Sequence, residues 1–168
     1  MNRYEQLKDA YLKCNQRMES HIKVIQDFYI WLLDGFEAWL NVHETTDKGF
    51  TYGVWDADAH LFSAIDDIPN ALRFEGKGGI GRIAFRIPFE IPRFKCLNIV
   101  VDLAVEKKGE IFKVTDRETS KSIDVKMGDN LAAEDLYIAL FNEIREYFDV
   151  RRFNPQESEQ RIGFKKKN

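Results

Sequence analysis

The sequence predicts an α+β fold: a long N-terminal helix or helical pair, a three- to five-stranded antiparallel sheet, and a C-terminal helix packed on that sheet. Three observations carry this expectation. Residues 2 to about 42 hold no proline and one glycine, Gly35, and their apolar side chains recur at alternating intervals of three and four. Between about residues 50 and 127, short alternating apolar runs are separated by turns rich in glycine and charge. From Leu131 onward the helical spacing returns.

The N-terminal pattern runs Tyr4, Leu7, Tyr11, Cys14, Met18, Ile22, Ile25, Tyr29, Leu32, Phe36, Trp39. Counted in sevens from Tyr4, one seam position holds Tyr4, Tyr11, Met18, Ile25, Leu32 and Trp39. The other is weaker, with Leu7, Cys14, His21, Phe28 and Gly35, so this is not a leucine-zipper seam. Residues 2–23 carry one apolar stripe and a polar back, whereas 24–40 are apolar on several faces, as in a helix contacted from more than one side. Forty unbroken residues would reach ~60 Å, far more than a domain with a radius of gyration near ~15 Å spans. The expectation is therefore either a break, between His21 and Lys23 or at Gly35, or an overhang that packs on something else.

In the middle of the chain, Phe50–Trp55 reads as a strand, and 56–68 as a turn with a short helix or a hairpin arm closed by Pro69. Gly76–Gly81 is a tight connection. Ile83–Ile87 reads as a strand that Pro88 and Pro92 confine to an edge or a bend. Leu97–Val105 is the strongest strand, and Glu110–Thr115 and Lys121–Met127 complete a meander with it. Asp129 or Asn130 caps the last helix. Its face is Tyr137, Leu140, Phe141, Ile144 and Phe148, and Asn154-Pro155 ends it. Residues 1–155 thus read as one domain and 156–168 as a flexible polar and basic tail.

Composition narrows the classes of function. The 168 residues are 44% hydrophobic and 32% charged, which is globular, and 13% aromatic, which is high. The net charge of −3 argues against a dedicated nucleic-acid coat. Cys14 and Cys96 make neither a disulfide framework nor a metal cage, and read as small buried hydrophobes in a reducing compartment. The charged N-terminus lacks a secretory signal, and Val24–Leu40 carries four acidic or amide side chains over less than the ~20 residues of a membrane span. These features point to a cytoplasmic protein with no membrane partner.

Four segments carry candidate chemistry. Asp102 in NIVVDLAV, followed by Asp124 and Lys126 in SIDVKMGD, resembles the acid…acid-x-lysine pattern of the PD-(D/E)xK nucleases. That resemblance implies two carboxylates holding Mg²⁺ and a lysine stabilising charge on a phosphate. The usual proline before the first acid is absent, since Val101 stands there, and a further strand is read between the two motifs. GKGGIG lacks the Lys-Ser/Thr and following helix of a phosphate loop. Asp56, Asp58, Asp66, Asp67 and His60 lack the spacing of a calcium or zinc site. Arg151-Arg152 and Lys165–Lys167 suit a helix end and a solvated tail, so nucleic-acid contact is not favoured.

The fifth candidate is the helix surface. Tyr4, Tyr11, Phe28, Trp31, Leu32, Phe36 and Trp39 are too many large side chains for one helix face over a small sheet, and aromatics are enriched at interface cores. The expected function is a non-enzymatic binding or regulatory protein, without cofactor, acting through helix-mediated self-association, as a homodimer, or through a protein partner. The Mg²⁺-dependent nuclease is the alternative.

Overall fold

The computed structural model describes residues 2–42, 49–76, 79–89, 97–118, 120–147 and 159–161. Cys96, Lys77 of the glycine-rich turn, Pro92, Phe148, Arg151-Arg152, Asn154-Pro155 and Lys165–Lys167 lie outside them.

Helix α1 is Arg3–Trp39, 37 residues without a break, about 55 Å long at ~1.5 Å per residue. Neither expected break occurs. At Gly35 the glycine serves a neighbour instead: a Cβ there would stand 2.4 Å from the Tyr137 hydroxyl. The N-terminus is closed by a capping box. The Asn2 side chain accepts from the Glu5 amide at 2.9 Å, and Glu5 Oε2 accepts from the Asn2 amide at 2.9 Å. Two of the four orphan amides at the helix start are thereby satisfied.

The sheet is wider than three to five strands. Among the described residues it has eight: β1 Thr51–Asp56, β2 Leu61–Ile65, β3 Arg73–Glu75, β4 Ile80–Phe89, β5 Leu97–Lys108, β6 Ile111–Asp116, β7 Ser122–Lys126 and β8 Glu159–Arg161. The order is β2-β1-β4-β5-β6-β7, with β3 also on β4 and β8 on β5. All pairings are antiparallel except β5–β8, which is parallel and takes up part of the segment read as a tail. The ambiguous 56–68 segment supplies both readings, a β1–β2 hairpin and the short helix α2, Ile68–Ala71.

The spine is β4–β5, paired from Gly81↔Val105 to Phe89↔Leu97. Strand β4 is therefore central: of the two settings its prolines suggested, edge or bend, the edge is overturned. Pro88 is tolerated because β1 pairs with β4 only as far as Arg86, so no ladder partner awaits its missing N–H on that side.

One sheet face is apolar throughout. Ile83, Phe85, Ile87, Ile99, Val101, Leu103, Val105, Phe112, Val114 and Val125 are all buried, at alternate positions along their strands. Onto this face pack the second half of α1 and the C-terminal helix α3, Asn130–Tyr147. Asp129 caps α3, its Oδ1 accepting from Leu131 and Ala132. The buried face of α3 is Ala133, Leu136, Tyr137, Leu140 and Ile144, and Phe141 sits at its margin, 38% exposed beside Trp39.

Candidate interaction surface

The second half of α1 is fastened at four points. His21 Nε2 lies 2.8 Å from the Gly79 carbonyl. The Tyr29 hydroxyl contacts the carbonyls of Gly81 and Leu103 at 3.0 Å each, bridging β4 and β5. The Phe50 amide donates to Glu37 Oε1. The Tyr137 hydroxyl donates to the Leu32 carbonyl at 2.9 Å. Aromatic contacts fill the space between. Phe28 stacks on Phe112 with centroids 4.0 Å apart, and Phe36 meets Phe50, Phe85 and Tyr137. Burial raises the Tyr29 phenol pKa well above its ordinary value, with the Asp102 charge adding to it, and burial pushes Tyr137 up to about 12.

Phe28, Leu32 and Phe36 were expected at an interface and instead lie in the chain's own core, at 0%, 1% and 0% exposure. The physical reason is the width of the sheet. Eight strands and a parallel neighbouring helix offer more apolar area than a three- to five-stranded sheet would. Trp31 is half-buried and Trp39 is exposed. Both line a groove of about 660 Å³ between α1 and α3, with Asp34, Gly35, Ala133 and Tyr137.

The first half of α1 is different. From Asn2 to Ser20 every residue is exposed except the half-buried Asn15. That is an overhang of roughly 27 Å. Tyr4 and Tyr11, read from sequence as interface residues, lie exposed on it. So do Leu7, Leu12 and Met18, which were not singled out, although Leu7 and Met18 share the spacing of the stripe. Tyr4, Leu7, Tyr11, Cys14 and Met18 fall on the same helical face as Ile25, Phe28, Leu32 and Phe36. The buried stripe thus continues into solvent without a change of phase. The back of the overhang carries an Asp9–Lys13 ion pair of 2.8 Å, four residues apart. With the capping box, it adds local support to a helical segment that has little tertiary contact. Cys14, expected to be buried, is instead an exposed free thiol on the stripe, because no other described element packs against this half of the helix.

The acids and lysine of the nuclease pattern do not converge. Asp102 is fully buried on the sheet face away from the helices, where Arg82 contacts both its oxygens, at 3.1 and 2.8 Å. These hydrogen bonds raise the Arg82 pKa still further. Arg82 also reaches Glu75, which in turn holds Arg117 at 2.8 Å. Asp124 pairs across β6 with Lys113, which pairs with Glu106, four residues along β5 from Asp102. Two strand spacings and four residue rises separate the two acids by about 16 Å. Lys126 is exposed and bound to Glu110 at 2.9 Å. Both acids share a sheet face, as alternation predicts, but a single Mg²⁺ holds its oxygen ligands at ~2.1 Å. Among the described residues, no group of three or more His, Cys, Asp or Glu side chains is placed to hold a metal ion. No described helix is long and apolar enough to cross a membrane.

The fold and this surface define a class: a two-layer α+β protein with a capped, amphipathic helical arm projecting from its helix layer. No family model, curated protein or solved structure matches the chain.

Proposed function

We propose that this chain is a non-enzymatic binding or regulatory protein whose docking element is the projecting half of α1. One observation carries the reading. Tyr4, Leu7, Tyr11 and Met18 are 75%, 71%, 64% and 59% exposed on one side of a helix capped to stay ordered. Apolar stripes of that kind mark contact sites, and a helix laid against a partner is read out through anchors at this spacing. A cytoplasmic setting suits the exposed thiol of Cys14.

Site-directed photo-crosslinking tests the reading. With a benzoylphenylalanine at position 11, irradiation of cells making the protein gives a protein adduct. The same group in place of Asp9, on the back of the helix, gives none. Absence of an adduct from position 11, or equal adducts from both, overturns the proposal.

A further inference from the structure

We infer that the projecting stripe of α1 is covered by the same stripe of a second copy, the two helices running antiparallel and overlapping along the whole overhang. This rests on the reading of α1 as a docking element and names its occupant. Each copy brings the same roughly 27 Å of unsupported helix. In a full antiparallel overlap, the end of one overhang meets the root of the other. Tyr4 then faces the partner's His21, Leu7 faces the partner's Met18, and Tyr11 faces the partner's Cys14. At the root, Phe74 is 37% exposed beside His21, with ring centroids 6.4 Å apart, and Tyr4 of the other copy arrives at that point.

Charge selects this arrangement among those that pair the stripes. At 3.6 residues per turn, Arg3, Ala10 and Arg17 line one flank of the stripe, and Lys8, Asn15 and Glu19 the other. A parallel pair sets Arg3 against the partner's Lys8, the flanking contact that decides partner choice in coiled coils. An antiparallel pair shifted by one heptad sets Arg17 against the partner's Arg3 and Lys8 against the partner's Lys8. In the full overlap Arg17 meets the partner's Ala10. Lys8 falls beside the partner's Asn15 and within side-chain reach of the partner's Glu19, an opposite-charge contact that two-fold symmetry repeats. Lys8 and Glu19 take part in no ion pair within the chain among the described residues.

Area is consistent with such a pair. Burial of a large apolar side chain removes on the order of 100 Å² from water. Four stripe side chains from each copy, with their flanks, approach the roughly 1,000 Å² at which specific interfaces begin. A concentration-dependent dimer is therefore expected, and two-fold dimers are the commonest closed assembly.

Disulfide trapping in a Cys14→Ser background tests the arrangement. Leu7→Cys and Met18→Cys chains, mixed and oxidised, yield a crosslinked product containing one chain of each, and neither variant alone crosslinks comparably. Sedimentation equilibrium of the unaltered chain reports about twice the 19.7 kDa chain mass, and Leu7→Glu raises the dissociation constant roughly a hundredfold. A Leu7→Cys product formed efficiently on its own means a parallel pair and overturns the inference. A monomer mass across the micromolar range, with no trapped product, also overturns it. In that case a photo-adduct from position 11 at a mass other than the dimer's leaves α1 standing as a docking element for a different protein. With no adduct either, both proposals fall.

Discussion

The two halves of α1 are one helix with one apolar stripe and opposite fates. From Ile25 to Phe36 the stripe is sealed under sheet and α3, at 0–1% exposure for Ile25, Phe28, Tyr29, Leu32, Leu33 and Phe36. From Tyr4 to Met18 the same stripe stands in water. Helical periodicity is a local property of the chain, whereas burial depends on what the rest of the chain brings over. The difference separates stability from recognition along a single rod, and mutations in the two halves should read out on different instruments.

The largest effect belongs to the sealed half. Phe28→Ala removes a fully buried ring stacked on Phe112 and should cost about 3–5 kcal/mol in denaturant melts. A loss below about 1 kcal/mol would mean that this half is not seated as described.

Gly35→Ala tests the closeness of α1 to α3. Helix propensity alone favours alanine by about 1 kcal/mol. Here the new methyl meets the Tyr137 hydroxyl, so a net destabilisation of about 1–3 kcal/mol is expected. Adding Tyr137→Phe should return part of it, and a stabilising Gly35→Ala would refute the contact.

The third effect is a pH dependence to which two buried tyrosine hydroxyls around the sealed half contribute. Tyr29 and Tyr137 keep their protons in the folded chain above the pH at which an unfolded tyrosine loses its own, near ~10. The unfolded state then binds fewer protons than the native one, so stability falls as pH rises. That stability is fully present below about pH 10 and is lost as pH climbs toward the folded values, about 12 for Tyr137. Urea melts from pH 8 to 11.5 should show the decline, and Tyr29→Phe should make it shallower. A flat profile would count against both burials.

The smallest effect belongs to the free half. Tyr11→Ala at concentrations where the chain is monomeric should shift stability by no more than about 0.5 kcal/mol, as for other exposed sites. A large shift would mean that the overhang folds back in solution.

Most elements were legible in the sequence because each rests on local signals; β3 and β8, three-residue strands defined by pairing with β4 and β5, were not. The α1 stripe, the capping Asp129, the Leu97–Val105 core strand and the α3 face all depend on spacing or on a residue within a turn of its target. Four features were not legible, each set by distant partners. Gly35 reads as a helix breaker until Tyr137, far along the chain, is laid against it. Pro88 reads as an edge marker unless it is known where β1 stops pairing. Phe28, Leu32 and Phe36 read as surplus aromatics unless the sheet is known to have eight strands. Asp102 and Asp124 follow a recognised spacing in sequence, and the strand between them was read, but no local pattern reports a register four residues out of line. On the projecting half the reverse holds: Tyr4 and Tyr11 could be placed on a surface because nothing among the described residues comes back to cover them.

The hydroxyl contacts of Tyr29 and Tyr137 also fix an order of events. The carbonyls of Gly81 and Leu103 lie 52 and 74 residues beyond Tyr29, and Tyr137 follows Leu32 by 105. During synthesis at roughly 5–20 residues per second, α1 leaves the ribosome several seconds before its seat on β4–β5, and longer still before α3. A helix made before its seat is thus among the last elements of this fold to be enclosed. For that interval its whole stripe, and not only the half exposed in the finished fold, is open to chaperones and to neighbouring nascent chains.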